Sequence, residues 1–429
     1  MKLHVLILTH HFFPEFGGGA TMQYELAKHL AASGHQVTVI TPIPYHHMVS
    51  ADIPEPSRDE NLDGFHVIRV RSHGTTKGSL IARAICEVLT DIDILFRGLK
   101  VKPVDILYIM PPPITLPFLA AIIKWVRKSK MILFLQDTFP EFLISMNLMS
   151  RKNICFKIAR VIEKMTYWNV DYLGVHSPKN RSYIISRGVN ESKVHVIPLW
   201  ADTDFLCVKQ RPAQFLNTHQ LDHKFVVMYA GTIGFAIGAK TLPQTAKILE
   251  GEKEIQFVVI GGGNKKNEMQ EEMNRLGTTN MMMFSPIPRE DLPDALASSD
   301  ILLVLLRKEQ SNNPNGYFKA VIPHKMLSDM ASGRPILLSA ETDSNAANLV
   351  RIANCGLTVP PEDPAALAEA ILRMKQDEKQ RALWAKNGYE FARSHFSSSR
   401  QVRKMEEMFI SVAAGLPYQF NDPWHPEPN

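Results

Sequence analysis

An alternation of strand-length apolar runs with helix-length segments runs its course twice along these 429 residues, beginning at VLILTH (residues 5–10) and restarting at VVMYAGTIG (226–234). Strands whose connections are helices are parallel, so each half is expected to be an open parallel sheet with helices on both faces. In the first half, strand Leu3 to Thr9, the loop HHFFPEFGGGA, helix Thr21 to Ser33 stopped by Gly34, and strand Gln36 to Thr41 make one βαβ unit. Strand His66 to Val70 lies in a polar, turn-rich stretch over 45–75, followed by a helix over 79–97 and strand Ile106 to Ile109 ending in PPP at 111–113. The rest of the half reads as the apolar helix Ile114 to Val126, strand Met131 to Leu135, a helix over 154–167, strand Tyr172 to Val175, a short helix from Ser177 to Arg187, and a last strand in VHVIPLWAD (194–202).

The second half reads as strands Phe225 to Tyr229, Gln256 to Ile260, MMMFSPI (281–287), ILLVLL (301–306) and Pro335 to Leu338. Between them fall a helix ending near Gly251, a helix Lys266 to Leu276, a helix in PREDLPDALASS and one from Pro323 to Gly333. Proline suits the first turn of a helix and glycine its C-terminal stop. A second helix follows the last of these strands, and the chain is helical from 364 to a proline-rich tail. Two domains follow, at 1–200 and 201–395, with a C-terminal helix and tail at 396–429.

A net charge of +5 and a pI near 8.8 suit an anionic substrate or an anionic membrane surface and lack the basic blocks of a nucleic-acid binder. Cys86, Cys155, Cys207 and Cys355 are far apart, which points to reduced thiols in a cytoplasmic compartment and away from a metal centre. No run reaches eighteen apolar residues, so no bilayer span is expected. The segment Ile114 to Val126, with Arg127, Lys128 and Lys130 behind it, admits two readings: a buried helix, or one leaning on anionic lipid.

Chemistry in a parallel sheet gathers beyond the carboxyl ends of its strands. Gly17, Gly18 and Gly19 lie there, where backbone amides can meet a phosphate or a sugar hydroxyl. Their spacing does not match the dinucleotide fingerprint, and no acid ends the second strand, which excludes a nicotinamide dehydrogenase. Asp137 and Glu141 in QDTFPE, and His10 and His11 after the first strand, are candidate proton acceptors for an attacking hydroxyl. Each has a plainer alternative: Asp137 as a helix cap, Glu141 as a surface acid, the histidines as loop residues, with Phe12 and Trp200 in the core. In the second half Gly231, Gly234 and Gly261 to Gly263 follow strand ends. Lys325 stands at a helix N-terminus, where an ammonium joins free N–H groups and the helix dipole to receive a phosphate. Lys325, Ser328 and Asp329 are expected on one face of that helix and Met326, Leu327 and Met330 on the inward side.

The order of HHFFPEFGGGATMQYELAKHLAASGHQVTVIT, RGVNESKVHVIPLWADTDF, VVMYAGTIG, FVVIGGG, GRPILLS and NCGLTVPPEDPAALAEAI resembles the retaining glycosyltransferases of family four over about residues 1 to 395. QDTFPE and IPHKMLSDMASGRP are most similar to bacterial enzymes that build surface polysaccharides on lipid carriers. The resemblance implies the GT-B fold: α/β, with two Rossmann-like domains facing a central cleft and a last helix crossing back to the N-terminal domain. It further implies a nucleotide diphosphate sugar donor, UDP before GDP, held by the C-terminal domain, and a lipid-linked or oligosaccharide acceptor held by the N-terminal domain.

Transfer with retention, no metal ion and no other cofactor are implied as well, as is a cytoplasmic location, peripheral on the inner face of the cytoplasmic membrane through contact with anionic lipid. On the donor side the resemblance puts Lys325 at the diphosphate with Gly231, Gly234 and the Gly17–Gly19 loop, and Gly262 near the base. His10, His11 and Glu141 fall to the acceptor. The chain departs from the family pattern where two glutamates eight positions apart touch sugar and ribose: Ala320 and Ser328 stand there. A Ser328 hydroxyl still reaches a ribose more weakly than a carboxylate would, and the loop AETDSN with Ser344 is left to approach the sugar. The β-phosphate of the donor is an alternative proton acceptor. A small soluble acceptor, or a non-catalytic glycan-binding homologue, are the alternative readings of function.

Overall fold

The structure, a computed structural model, describes residues 1–15, 17–44, 56–73, 80–310 and 316–418. It divides into two compact units: Met1–Pro198, joined by residues 399–418, and Leu199–Ser398.

The first unit runs β1 (His4–Thr9), α1 (Gly18–Ala32), β2 (Gln36–Pro42), β3 (Asp59–Leu62), β4 (Phe65–Val70), α2 (Leu80–Gly98), β5 (Ile106–Met110), α3 (Thr115–Arg127), β6 (Lys130–Leu135), α4 (Glu141–Ser145), α5 (Ile154–Asn169), β7 (Tyr172–Val175), α6 (Pro178–Ser186) and β8 (Val194–Val196). Its sheet has the order β3-β4-β2-β1-β5-β6-β7-β8 and is parallel except for β3, which pairs antiparallel with β4. Every residue of β1 is buried, as a central strand covered on both faces requires. The added strand β3, DENL, is a polar edge strand, and an edge of that kind resists pairing with another chain. It was not anticipated within 45–75, of which 45–55 and 74–75 lie outside the described residues.

The second unit runs α7 (Ala213–Thr218), β9 (Phe225–Ala230), α8 (Thr241–Ile248), β10 (Ile255–Ile260), α9 (Lys266–Leu276), β11 (Met281–Phe284), α10 (Leu292–Ala297), β12 (Ile301–Leu305), α11 (Tyr317–Ala320), α12 (His324–Ala331), β13 (Ile336–Ser339), α13 (Asn345–Ala353), β14 (Gly356–Val359), α14 (Pro364–Gln376) and α15 (Glu378–His395). Six parallel strands stand in the order β11-β10-β9-β12-β13-β14. Strand β14 is an addition to the expected set, and the helix expected over PREDLPDALASS is a 3-10 turn, Arg289–Asp291, leading into α10.

The last helix, α16 (Ser398–Ala413), joins the first unit. Phe409 packs against Tyr108 of β5 at 5.4 Å between ring centroids. The Glu406 carboxylate accepts from His29 (2.7 Å), His35 (3.0 Å) and Ser33 (3.0 Å). Burial opposes its ionisation, but these bonds outweigh that and hold its carboxyl below the usual range. Phe12 and Trp200 are fully buried in the cores of their own units, the plainer of their two readings. All four cysteines are free thiols.

Candidate active site

Strand order reverses at β1 and β5 in the first sheet and at β9 and β12 in the second, and such switch points are where open α/β sheets bind ligands. At the first switch point His10 leaves the carboxyl end of β1. Its Nε2 lies 2.6 Å from Asp91 Oδ1, both side chains nearly or fully buried, and the Thr115 hydroxyl donates to Asp91 Oδ2. Burial pushes the Asp91 carboxyl up and the bond from His10 pulls it back. An ionised Asp91 holds the imidazole proton on Nε2 and leaves the Nδ1 lone pair to accept another, the arrangement a proton-accepting histidine needs. His11 turns to the buried Glu15, with Nδ1 2.7 Å from Oε2. Gln23 fixes the loop by donating to Thr9 Oγ1 (2.7 Å) and to the His11 carbonyl (3.0 Å).

The glycine loop differs from the expectation. Helix α1 begins at Gly18, so Gly18 and Gly19 form its first turn rather than a loop before it, and no side chain caps that end. Gly17 has φ 136°, a conformation that favours glycine. A Cβ on Gly19 would come within 3.2 Å of Gln136 Oε1, which brings the start of QDTFPE beside the start of α1. Asp137 lies two residues beyond β6, partly exposed, in a narrow recess with Pro111, Pro112 and Phe139. Glu141 is not the open acid or surface carboxylate expected. It is buried, with Arg151 donating to Oε1 and Arg160 to Oε2 at 2.7 Å, so both oxygens already accept charged hydrogen bonds. His176, which was not singled out, is buried at the end of β7, and desolvation lowers its pKa to about 4.

The second switch point is built mainly from backbone. Gly231 follows β9 with φ 155°, and Gly261 and Gly263 follow β10 with φ 158° and 138°. A Cβ on Gly261 would fall 1.9 Å from the Gly231 carbonyl oxygen, and one on Gly263 would fall 2.5 Å from that of Ile233, so both are glycines because two loops touch through backbone. Gly262 faces Pro286, while Gly234 has room around it, its nearest contact being Thr232 Cγ2 at 3.5 Å.

Lys325 arrives at this place as expected, its methylenes 3.3 Å from where a Gly231 Cβ would stand. Its ammonium is partly exposed but already engaged by protein groups. It lies over the Tyr229 ring at 4.9 Å, donates to the Leu303 carbonyl at 2.7 Å and pairs with Asp329. Asp329 therefore departs from the expected outward face and is buried with Met326, Leu327 and Met330. Burial pushes its carboxyl up and Lys325 opposes this. No side chain caps the N-terminus of α12. His324, its first residue, is held neutral by desolvation with a pKa lowered to about 4 and bonds to the Trp200 backbone.

Ser328 stays partly exposed one position before Asp329, and Ala320 is buried in α11. Ser344 does not offer its hydroxyl outward: it is buried and caps α13 by accepting from the Ala347 amide at 3.1 Å. Two carboxylates gather beyond β12 and β13 instead. Glu309, which sequence reasoning missed, is buried and accepts from the Phe318 amide at 3.0 Å, and its own amide donates to Glu341 at 3.3 Å. A Cβ on Gly316 would meet the Glu309 carboxylate at 2.4 Å, and that glycine was the one available signal for it.

Two family models match the chain: "Glycosyl transferase 4-like domain" over residues 17–200 and "Glycosyl transferases group 1" over residues 213–391. A probable glycosyltransferase of Pseudomonas aeruginosa, WbjE, is 25% identical over 58% of this chain, which spans 61% of that protein. WcaI of Escherichia coli K12, named for colanic acid biosynthesis, is 24% identical over 86% of this chain and 91% of its own length. Among solved structures, sucrose-phosphate synthase from Thermosynechococcus elongatus superposes with a TM-score of 0.75 at 17% identity, over 96% of this chain and all of the other. Anabaena HepE in complex with UDP-glucose gives 0.69 at 15%, over 96% and 100%. WaaG, a glycosyltransferase involved in lipopolysaccharide biosynthesis, gives 0.68 at 17%, over 94% and 99%. With both α/β units covered by these models, the chain belongs to the group 1 glycosyltransferases with a 4-like N-terminal domain, and its fold is GT-B.

Proposed function

We propose that this glycosyltransferase moves a sugar from a UDP-sugar to a lipid-linked saccharide with retention of configuration, in the assembly of a bacterial surface polysaccharide at the cytoplasmic membrane. The observation that carries the donor side is the meeting of Lys325, Gly231 and the uncapped start of α12 at the β9/β12 switch point. A nucleoside diphosphate leaving group gathers negative charge as the glycosidic bond breaks. An ammonium and free helix-end amides stabilise that charge without a divalent cation.

Lys325 is held ready by Asp329 and the Leu303 carbonyl, both of which raise the local negative potential that a diphosphate must overcome. The phosphate competes for the ammonium, and α12 supplies the remaining attraction. UDP as the nucleotide is supported by the likeness to HepE, whose solved complexes contain UDP and UDP-glucose. A polysaccharide product is supported by the likeness to WcaI and WaaG.

On the acceptor side, the His10–Asp91 pair and Asp137 are the groups suited to the hydroxyl proton, with the β-phosphate of the donor as the alternative receiver. Glu141 serves to hold Arg151 and Arg160. The test is transfer of radiolabel from a panel of UDP-sugars to polyprenyl-diphosphate-linked sugar in anionic vesicles, with excess chelator present. Label in the lipid fraction, unaffected by the chelator, is the expected result. Label transferred solely to soluble sugars refutes the lipid acceptor, and chelator-sensitive transfer refutes metal independence.

A further inference from the structure

Seventeen large apolar side chains are exposed among the described residues, and eleven of them lie on α2, α3 and α5. These helices are neighbours: α3 packs against both α2 and α5. On α5 the exposed residues are Ile154, Ile158, Val161, Met165 and Trp168, spaced four, three, four and three apart. That spacing forms one continuous stripe along the helix, and Trp168 is 83% exposed. The opposite side of α5 buries Phe156, Thr166 and Tyr167 against the sheet, so the stripe is surplus to the core.

Charge on the same helix has one sign at the surface. Lys157 and Lys164 are exposed beside the stripe, and the one acid of α5, Glu163, is buried. A cleft of about 460 Å³ runs along this edge, with Arg160, Lys164 and Arg187 as its cations, Glu163 in its wall, and Val161 and Met165 on its apolar side. Arg160 is matched by Glu141 and Glu163, and Arg151 shares Glu141. Arg187 stands 3.9 Å from Glu163, and Lys164 has no acid partner among the described residues. Three cations and one carboxylate line the cleft, and Arg151 with Glu141 behind it adds one of each, so a positive surplus remains.

We propose that the outer face of α2, α3 and α5 docks on an anionic bilayer, with the cleft of Lys164 and Arg187 receiving a lipid phosphate. An apolar stripe bordered by lysines, with no exposed acid on its helix, matches the boundary between acyl chains and anionic headgroups. A protein partner or a second copy of the chain would be met equally well by the apolar stripe but gives no reason for the exposed Lys157 and Lys164, which have no acid partner among the described residues. No helix among the described residues is long and apolar enough to cross a membrane, so α5 lies in the interface plane. This deepens the reading of a lipid-linked acceptor and rests on it.

The test is flotation of the full chain with phosphatidylglycerol-containing and with pure phosphatidylcholine vesicles. Wild type is expected to float with the anionic vesicles. Ile158→Glu/Trp168→Glu is expected to lose at least tenfold in the floated fraction, and Lys164→Glu/Arg187→Glu to lose the preference for anionic lipid. A circular dichroism spectrum and thermal melting profile like those of wild type report that each variant is folded. Wild type remaining in solution with both vesicles, or Ile158→Glu/Trp168→Glu floating like wild type, overturns the proposal. So does sedimentation showing that Ile158→Glu/Trp168→Glu merely splits a dimer. Transfer to a short-chain, water-soluble acceptor is measured in parallel. If it persists while flotation fails, the docking surface is wrong and the transferase reading stands; flotation without any transfer gives the reverse.

Discussion

Helices α5 and α9 each flank the parallel sheet of their own unit, yet their outer surfaces are opposites. The exposed positions of α9 are Asn267, Glu271, Asn274 and Arg275, the ordinary solvated face of a globular protein. Those of α5 are apolar or cationic, apart from the thiol of Cys155. The fold does not require the difference, since both helices bury an apolar side against their sheets. It is the difference on which the docking proposal for the N-terminal unit rests. The switch points differ in a parallel way. The C-terminal one is backbone closely packed around a single lysine, and the N-terminal one is made of side chains drawn from separate loops and helices.

The largest effect is expected at the C-terminal switch point. Lys325→Met lowers kcat/KM by about 10²- to 10³-fold, measured by UDP release. Because Asp329 loses its partner, Lys325→Met/Asp329→Asn restores the melting temperature without restoring turnover. Recovery of both would make the lysine a packing residue.

Next is the pH dependence that His176 contributes to the stability of the N-terminal unit. Folded His176 resists protonation until about pH 4, whereas the unfolded imidazole takes a proton near 6.5, so the unfolded state binds more protons in between. Stability therefore falls as pH drops from 6.5 to about 4, by up to about 3 kcal/mol, and then levels. Urea titrations of wild type and His176→Asn across that range check it; identical pH profiles would refute it.

At the N-terminal switch point, His10→Gln keeps a donor to Asp91 and removes the imidazole base. A fall in kcat of about 10²-fold or more with unchanged UDP affinity is expected. An unchanged kcat would leave the donor phosphate as the proton acceptor.

The smallest effect is at α16. Glu406→Gln weakens three hydrogen bonds to a carboxylate and costs about 1–2 kcal/mol. The depressed folded pKa makes the wild-type contribution full above the unfolded carboxylate pKa and lost as pH falls through the lower folded value. The difference between wild type and variant should vanish there, and a constant gap would contradict the assignment.

The strands were legible because central parallel strands are buried on both faces and read as unbroken apolar runs; β3 and β14 were missed as short edge strands with polar or glycine-rich sequence. Lys325 was legible because Pro323 and Gly333 frame its helix. The inward turn of Asp329 was not, since a buried acid is stabilised only by a partner whose rotamer the sequence does not show. His10 and Asp91 are 81 positions apart, and Glu141 finds its arginines 10 and 19 positions on. Pairs of that separation are set by topology. The α5 stripe carries a helical apolar pattern of the kind that packs a core. That α5 instead buries its Glu163 side becomes visible only once the sheet is in place.

The most direct test of the central claim is isothermal titration of UDP into wild type and Lys325→Met. Wild type is expected to bind, with an affinity at least about tenfold weaker in the variant, as loss of a charge-assisted contact to phosphate requires. Equal dissociation constants would contradict it.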